Sequence, residues 1–281
     1  MNRGAESGGQ DVPEMVAVGR VLNETIVFSG GSTQSVLGSP AAYSSVCASR
    51  LGTRAAVVTR IGRDFPDGLL AALREAGVDM RGVVREGDAS TTNRLVYRLD
   101  GTKVIEYMEQ SPPITRQDVP AAYRGAGLFY VCPMDFDVAP DELLAFKGMG
   151  EVLAGDLGGY GGAHSPPEEV PQLERDPDGT RGIVGAFDIV KASVEDCCRM
   201  TGEEDVDAEA LSAEFRDWGA GIVVITLAEE GAYLRTPDAG RLVPAFHGSA
   251  IDPTGGGDSF MGGFLSEYLR TRDPERAAGF A

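Results

Sequence analysis

Two histidines and four cysteines are all that this chain of 281 residues offers as soft metal ligands. Cys47, Cys132, Cys197 and Cys198 show no C-x-x-C spacing, and adjacent cysteines on a helix do not face one site. With only His164 and His247 beside them, they argue against a zinc cage and read as reduced core thiols of a cytoplasmic protein. Positive charge is also scarce: 25 basic residues stand against 43 acidic ones, a formal net charge of −18. Nucleic acid and anionic lipid surfaces both need basic patches, so neither is an expected partner. A phosphorylated ligand is not excluded, because local amides and cations decide that. No apolar run approaches the roughly 18–20 residues of a membrane helix. The start is polar and glycine-rich without a hydrophobic signal region, so residues 1–11 are expected to be a flexible tail. What is present is 42% hydrophobic and 24% charged, enough for one large domain or two small ones.

Short apolar runs alternate with segments of helical period. Strands are expected over 15–18, 55–59, 127–131, 151–155, 187–190 and 221–227, several of them apolar throughout, as parallel strands buried on both faces are. Ser39 can cap a helix that has Pro40 at its first position and Val46, Cys47, Arg50 and Leu51 at helical spacing. Another helix is expected over 66–76, with Leu69, Leu70, Leu73 and Ala76 on one face and Gly77 as its stop. This rhythm predicts a doubly wound α/β core. Residues 25–37, and 91–107 with Asp100-Gly101 as a turn, read instead as antiparallel strands that could form a projecting lid. The stretch 158–179 is dominated by glycine and proline turn chemistry and reads as loop.

Near the end stands Asp252-Pro253-Thr254-Gly255-Gly256-Gly257-Asp258, followed by Phe260, Met261, Phe264, Leu265, Tyr268 and Leu269 on one helical face. The three glycines therefore lie at a helix N-terminus, whose unpaired N–H groups form an anion site that glycine leaves uncovered. No G-K-[ST] follows, so this is not a Walker A loop, and the absence of G-x-G-x-x-G disfavours a dinucleotide-dependent dehydrogenase. Asp258 beside such a site is either a simple cap or a base that takes the proton of an attacking hydroxyl. An anion hole with a general base describes phosphoryl transfer to an alcohol.

The same segment resembles the D-x-T-G-A-G-D signature of the ribokinase-like (PfkB) carbohydrate and nucleoside kinases, with glycine in place of alanine. Two further stretches resemble that family in the same order. They are Leu51-Gly52 with Arg60-Ile61-Gly62-Arg63-Asp64-Phe65-Pro66-Asp67-Gly68 and Ala76-Gly77-Val78-Asp79, and Val224-Ile225-Thr226-Leu227-Ala228-Glu229-Glu230-Gly231. The resemblance implies a three-layer α/β/α fold over 12–281, with a mainly parallel sheet and small lid strands near 20–37 and 90–108. It implies ATP and Mg²⁺ as cofactors, with K⁺ in members that use one, and a small hydroxyl-bearing substrate. Asp258 would be the base, and Gly255, Gly256 and Gly257 would offer amides to the phosphoryl group. Thr226, Ala228 and Gly231 would flank the ATP phosphates, and Asp252 and Thr254 would hold the monovalent cation.

Departures from the family pattern are expected to matter. Its magnesium-linked N-x-x-E motif reads Ser193-Val194-Glu195-Asp196 here, so Glu195 and Asp196 would reach the metal through water. The substrate signature reads Gly38-Ser39-Pro40-Ala41-Ala42-Tyr43, and the substrate-binding aspartate appears as Glu24 with Asn23 beside it. Tyr43 could stack on a base or pack into the core. The acceptor is thus a sugar, polyol or nucleoside other than plain ribose. The alternative is an impaired family member that senses a metabolite. Relatives continue beyond Gly279-Phe280-Ala281, so the chain is expected to lack a C-terminal piece, and lid edges are expected to pair two copies.

Overall fold

The computed structural model describes residues 12–27, 31–97, 103–166, 170–246, 248 and 254–281. In chain order the strands are β1 (Met15–Val18), β2 (Leu22–Val27), β3 (Thr33–Gly38), β4 (Ala55–Ile61), β5 (Asp79–Arg85), β6 (Thr92–Tyr97) and β7 (Lys103–Glu109). They continue with β8 (Ala126–Val131), β9 (Gly150–Asp156), β10 (Ile189–Ser193), β11 (Ile222–Thr226), β12 (Gly231–Arg235) and β13 (Gly240–Pro244). The helices are α1 (Pro40–Arg50), α2 (Ala71–Ala76), α3 (Leu143–Lys147), α4 (Gln172–Arg175) and α5 (Pro177–Ala186). After these come α6 (Val194–Thr201), α7 (Ala208–Asp217), α8 (Gly256–Thr271) and α9 (Pro274–Phe280).

Nine strands form one sheet in the order β13-β12-β11-β10-β9-β8-β1-β4-β5. Every pair from β11 to β5 is parallel, and β12 and β13 complete one edge antiparallel. Alternate residues of the apolar strands enter two separate cores. Val16, Val18, Phe129 and Val131 face one with Phe146, Val184 and Phe215, while Met15, Ala17, Leu128 and Tyr130 face the other with Ala48, Met261 and Phe264. Helices on both faces explain why these runs carry no polar alternation. Each fully buried aromatic such as Phe129 or Phe264 contributes about 1.5–3 kcal/mol. A second sheet of four strands has the order β3-β2-β6-β7. Among the described residues no helix is long and apolar enough to cross a membrane.

The predicted parallel strands all form, with ends moved by one to three residues; the run at 187–190 pairs instead over Ile189–Ser193. Four expectations change. The small sheet is two antiparallel hairpins joined by a parallel pairing of β2 with β6, which local patterns do not reveal. The α2 helix is confined to Ala71–Ala76, although Gly77 ends it at φ 81° as expected. The stretch read as loop contains α4 and α5, because Asp176 caps α5 by accepting from the Gly179 N–H at 3.0 Å with Pro177 at the first position. On α1, Ser39 caps as predicted, but the buried face is Ala41, Ala42, Ser44, Ser45 and Ala48, and Leu51 is half exposed. The reason is α8, which approaches so closely that a Cβ at Gly262 would lie 2.7 Å from the Ser44 carbonyl oxygen. Small residues on α1 are the price of that contact. The tail 1–11, the Asp100-Gly101 turn and His247 lie outside the described residues.

Candidate active site

Strands β1, β8, β9, β10 and β11 run parallel, so their C-terminal ends lie along one edge of the large sheet, where α/β folds place ligands. Gly255, at φ 71° in the left-handed region, caps α8. The helical ladder opens with the Ser259 N–H donating to the Gly255 carbonyl at 2.8 Å. The amides of Gly256, Gly257 and Asp258 therefore have no acceptor within the helix and carry the positive end of its dipole. A Cβ on Gly256 would meet nothing within 4 Å, and one on Gly257 would sit 3.6 Å from Lys191 Nζ. Among the described residues nothing fills that space, so the bare backbone at 256 meets no packing need there. Asp258 is the third residue of α8, 8% exposed, and its charge acts on Lys191, Tyr130 and Cys132.

Beneath the glycines lies a buried polar network that the sequence reading did not single out. Lys191 Nζ donates to Asp156 Oδ2 at 3.0 Å and stands 3.8 Å from Asp196 Oδ2. Tyr130 O–H donates to the same Asp156 oxygen at 3.1 Å, and the Gly158 N–H donates to the other at 2.8 Å. Burial opposes the lysine's charge, yet Asp156, Asp196 and Asp258 outweigh it and hold its pKa above the ordinary value. The signal that could have found it was present: a carboxylate ending β9 and a lysine in the middle of the apolar β10, where buried charges need partners.

Asp196 has another occupation than the metal role. Its Oδ1 accepts from the Ala163 N–H at 2.7 Å and its Oδ2 from the Ser193 N–H at 2.6 Å, closing a capping box at the start of α6. Burial pushes its pKa up, but Lys191, His164 and those two N–H groups hold it well below the usual carboxylate range. Each oxygen already accepts one backbone N–H, and the described residues contain no group of three His, Cys, Asp or Glu that could hold a metal. Glu195 is partly exposed on α6 and lines a cavity of about 630 Å³ with Arg199. Asp252 lies outside the described residues, and Thr254 is partly buried just before α8.

Thr226 ends β11, and the turn after it holds Ala228 at φ 51°, a left-handed conformation costly for a residue with a Cβ. Gly231 is required by strand packing: a Cβ there would lie 2.1 Å from the Val243 carbonyl oxygen.

On the other side, Glu24 is buried on β2 and Asn23 points to the opposite face of the small sheet, where it accepts from the Ser35 hydroxyl. Period-two alternation separates them, so Asn23 does not join Glu24. Gly38 is pressed against Glu24, with a Cβ position 2.8 Å from the Glu24 Cβ. Ser39 caps α1, and the Tyr43 ring lies against Gly255, 2.9–3.2 Å from the position of a Cβ there. Glu24 thus connects through Gly38 and Ser39, whose carbonyl accepts from the Tyr43 N–H at 3.1 Å, to the Tyr43 ring against Gly255.

The family model of the pfkB family carbohydrate kinases matches residues 15–127 and 171–281. The chain belongs to the PfkB family. It is a phosphotransferase acting on a hydroxyl group, and kinases of this family use ATP. Among its relatives, the cytidine kinase of Thermococcus kodakarensis is 30% identical over 274 residues, covering 93% of this chain and 91% of that one. The probable fructokinase-4 of Arabidopsis thaliana is 30% identical over 244 residues, covering 81% of this chain and 71% of that protein. A sulfate complex of a pyrophosphate-dependent kinase in the ribokinase family shares the fold, with TM-score 0.81 and 19% identity over 95% of this chain and 91% of that one.

Further residues of this PfkB kinase escaped the sequence reading because they come together only across strands. Arg20 and Asp137 form a buried pair, the Arg20 N–H donating to Asp137 Oδ2 at 2.8 Å and Nε standing 3.8 Å away. Burial lifts the Asp137 carboxyl to about 6 against the opposing pull of Arg20. Tyr107 on β7 donates its O–H to the His164 carbonyl at 2.6 Å, tying the small sheet to the turns after β9.

Proposed function

We propose that this PfkB kinase transfers the γ-phosphoryl group of ATP to a hydroxyl of a sugar or nucleoside, with Asp258 as the general base. The observation that carries the reading is the juxtaposition at the start of α8. A carboxylate 8% exposed shares one helical turn with amides that have no helical acceptor, above the buried Lys191 ammonium. The amides of 255–257 accept the charge spreading over the transferred phosphoryl oxygens, and the fixed cation adds to that field in a site of low polarity. Asp258 draws the proton from the acceptor hydroxyl as it attacks the phosphorus in line. The small sheet acts as a lid, tied down through Tyr107 and His164. Magnesium would enter with the nucleotide, since Asp196 is occupied by its cap and by Lys191. A monovalent cation would involve Thr254 and Asp252.

The sugar or nucleoside class is supported by the cytidine kinase and fructokinase relatives. Replacing Asp258→Asn keeps the shape of the helix start and removes the base, so turnover should fall by about 10²–10⁴ while ATP still binds. The measurement is coupled ATP consumption with cytidine or fructose as acceptor, beside nucleotide titration. Transfer at the parental rate in the variant rejects the assignment.

A further inference from the structure

The register of the small sheet aligns three polar side chains on one face. Glu24 of β2 pairs with Asn93 of β6, and Asn93 pairs with Tyr107 of β7. Cross-strand partners project to the same side, so the three form a row, flanked on that face by the buried Ile26 and Leu95. The same row leads through Gly38, Ser39 and Tyr43 to Gly255.

Asn93 is 1% exposed, and its Nδ2 donates to Glu24 Oε2 at 3.0 Å. A carboxylate only accepts, so that bond fixes which way the amide points. Asn93 Oδ1 is then left without a hydrogen-bond partner and without solvent. Native folds rarely bury an amide oxygen in that state unless something else donates to it. The polar groups next to it are satisfied: Thr91 Oγ1 and Ser111 Oγ lie 3.0 Å apart, and the Tyr107 O–H reaches the His164 carbonyl. The charge around the row is negative. Glu24, Asp135 and Asp137 all act on Tyr107, and the guanidinium of Arg20 donates to the carbonyls of Met134 and Ser111 while its Nε stands 3.8 Å from Asp137 without a hydrogen bond.

We infer that Asn93 and Glu24 read the acceptor, Asn93 Oδ1 taking a hydrogen bond from a hydroxyl of an uncharged polyol or ribosyl substrate, and that phosphorylated or acidic acceptors are excluded. This deepens the kinase reading and rests on it for the identity of the site. An acceptor atom next to a carboxylate selects a partner rich in donors. The three carboxylates whose charge acts on this row disfavour an anionic acceptor.

The test titrates wild type, Asn93→Leu and Glu24→Gln by calorimetry with cytidine, D-fructose and myo-inositol as neutral probes, and with fructose 6-phosphate and gluconate as anionic ones. Transfer from ATP is followed in parallel. At least one neutral probe binds wild type, and its affinity falls about 10- to 100-fold in Asn93→Leu, the range of one hydrogen bond in a partly charged pair. The same loss is read as a rise in KM for that probe when transfer from ATP is followed. Glu24→Gln is nearly isosteric and supplies the same comparison if Asn93→Leu melts early. The inference is overturned by wild-type affinity in both variants, by tighter binding of either anion, or by binding of no neutral probe. Binding that depends on Asn93 without any Asp258-dependent transfer would leave this inference standing and remove the kinase mechanism.

Discussion

Lys191→Met removes the ammonium that pairs with Asp156 and Asp196 and whose charge is felt with that of Asp258. The lysine is 4% exposed and its two nearest carboxylates 0% and 2%, so water cannot take over its part. Deleting one partner of a buried ion pair costs about 3–5 kcal/mol, because the charge left behind stays desolvated. For a domain of this size each kcal/mol moves the melting temperature by about 2–4 °C, which predicts a fall of about 6–20 °C at pH 7. In the wild type the Asp196 carboxyl ionises below its unfolded value, so its contribution is present above pH 4 and lost on acidification below that. Without Lys191 the buried Asp156 and Asp196 lose the charge that offsets their desolvation, and protonating one of them relieves that penalty. Lys191→Met should therefore regain stability as the pH falls from 7 toward 4, opposite to the wild type. Calorimetric melting at several pH values checks both points, and Lys191→Met combined with Asp156→Asn should recover most of the loss at pH 7. A melting temperature within 3 °C of wild type, or a double variant no better than the single one, refutes the reasoning.

Gly256→Ala should leave the fold at least as stable, since the position is helical and a Cβ there meets nothing within 4 Å. Its methyl would obstruct the approach of a phosphoryl group, lowering kcat on the order of 10², as the loss of one transition-state donor does; unchanged kcat would show that the amides of α8 play no part. Asp137 ionises at about 6 when folded and near 4 when unfolded, so the folded state holds the extra proton between those values. Stability from this group falls by about 3 kcal/mol as the pH rises through that window, and melting curves of Asp137→Asn should lack the drop. Parallel curves for variant and wild type would assign it to another group.

The chain's local signals account for its helix starts, its buried strands and the aspartate that follows its glycine run. Ser39 before Pro40, glycines ahead of an apolar helix and Asp258 in the first turn all act within a few residues of one another. Apolar runs without alternation imply a sheet covered on both faces whatever the strand order. Other features depend on partners far apart in the chain. Tyr43 meets Gly255, Lys191 meets Asp156, and Gly262 forces α1 to bury its small residues in place of the Val46 stripe. Asn93 acquires its orphaned oxygen only because β2 and β6 pair in parallel in one particular register. Shifting that register by one residue would turn Asn93 to the other face with no change in local pattern, so tertiary packing alone decided which polar groups the small sheet buries beside Glu24.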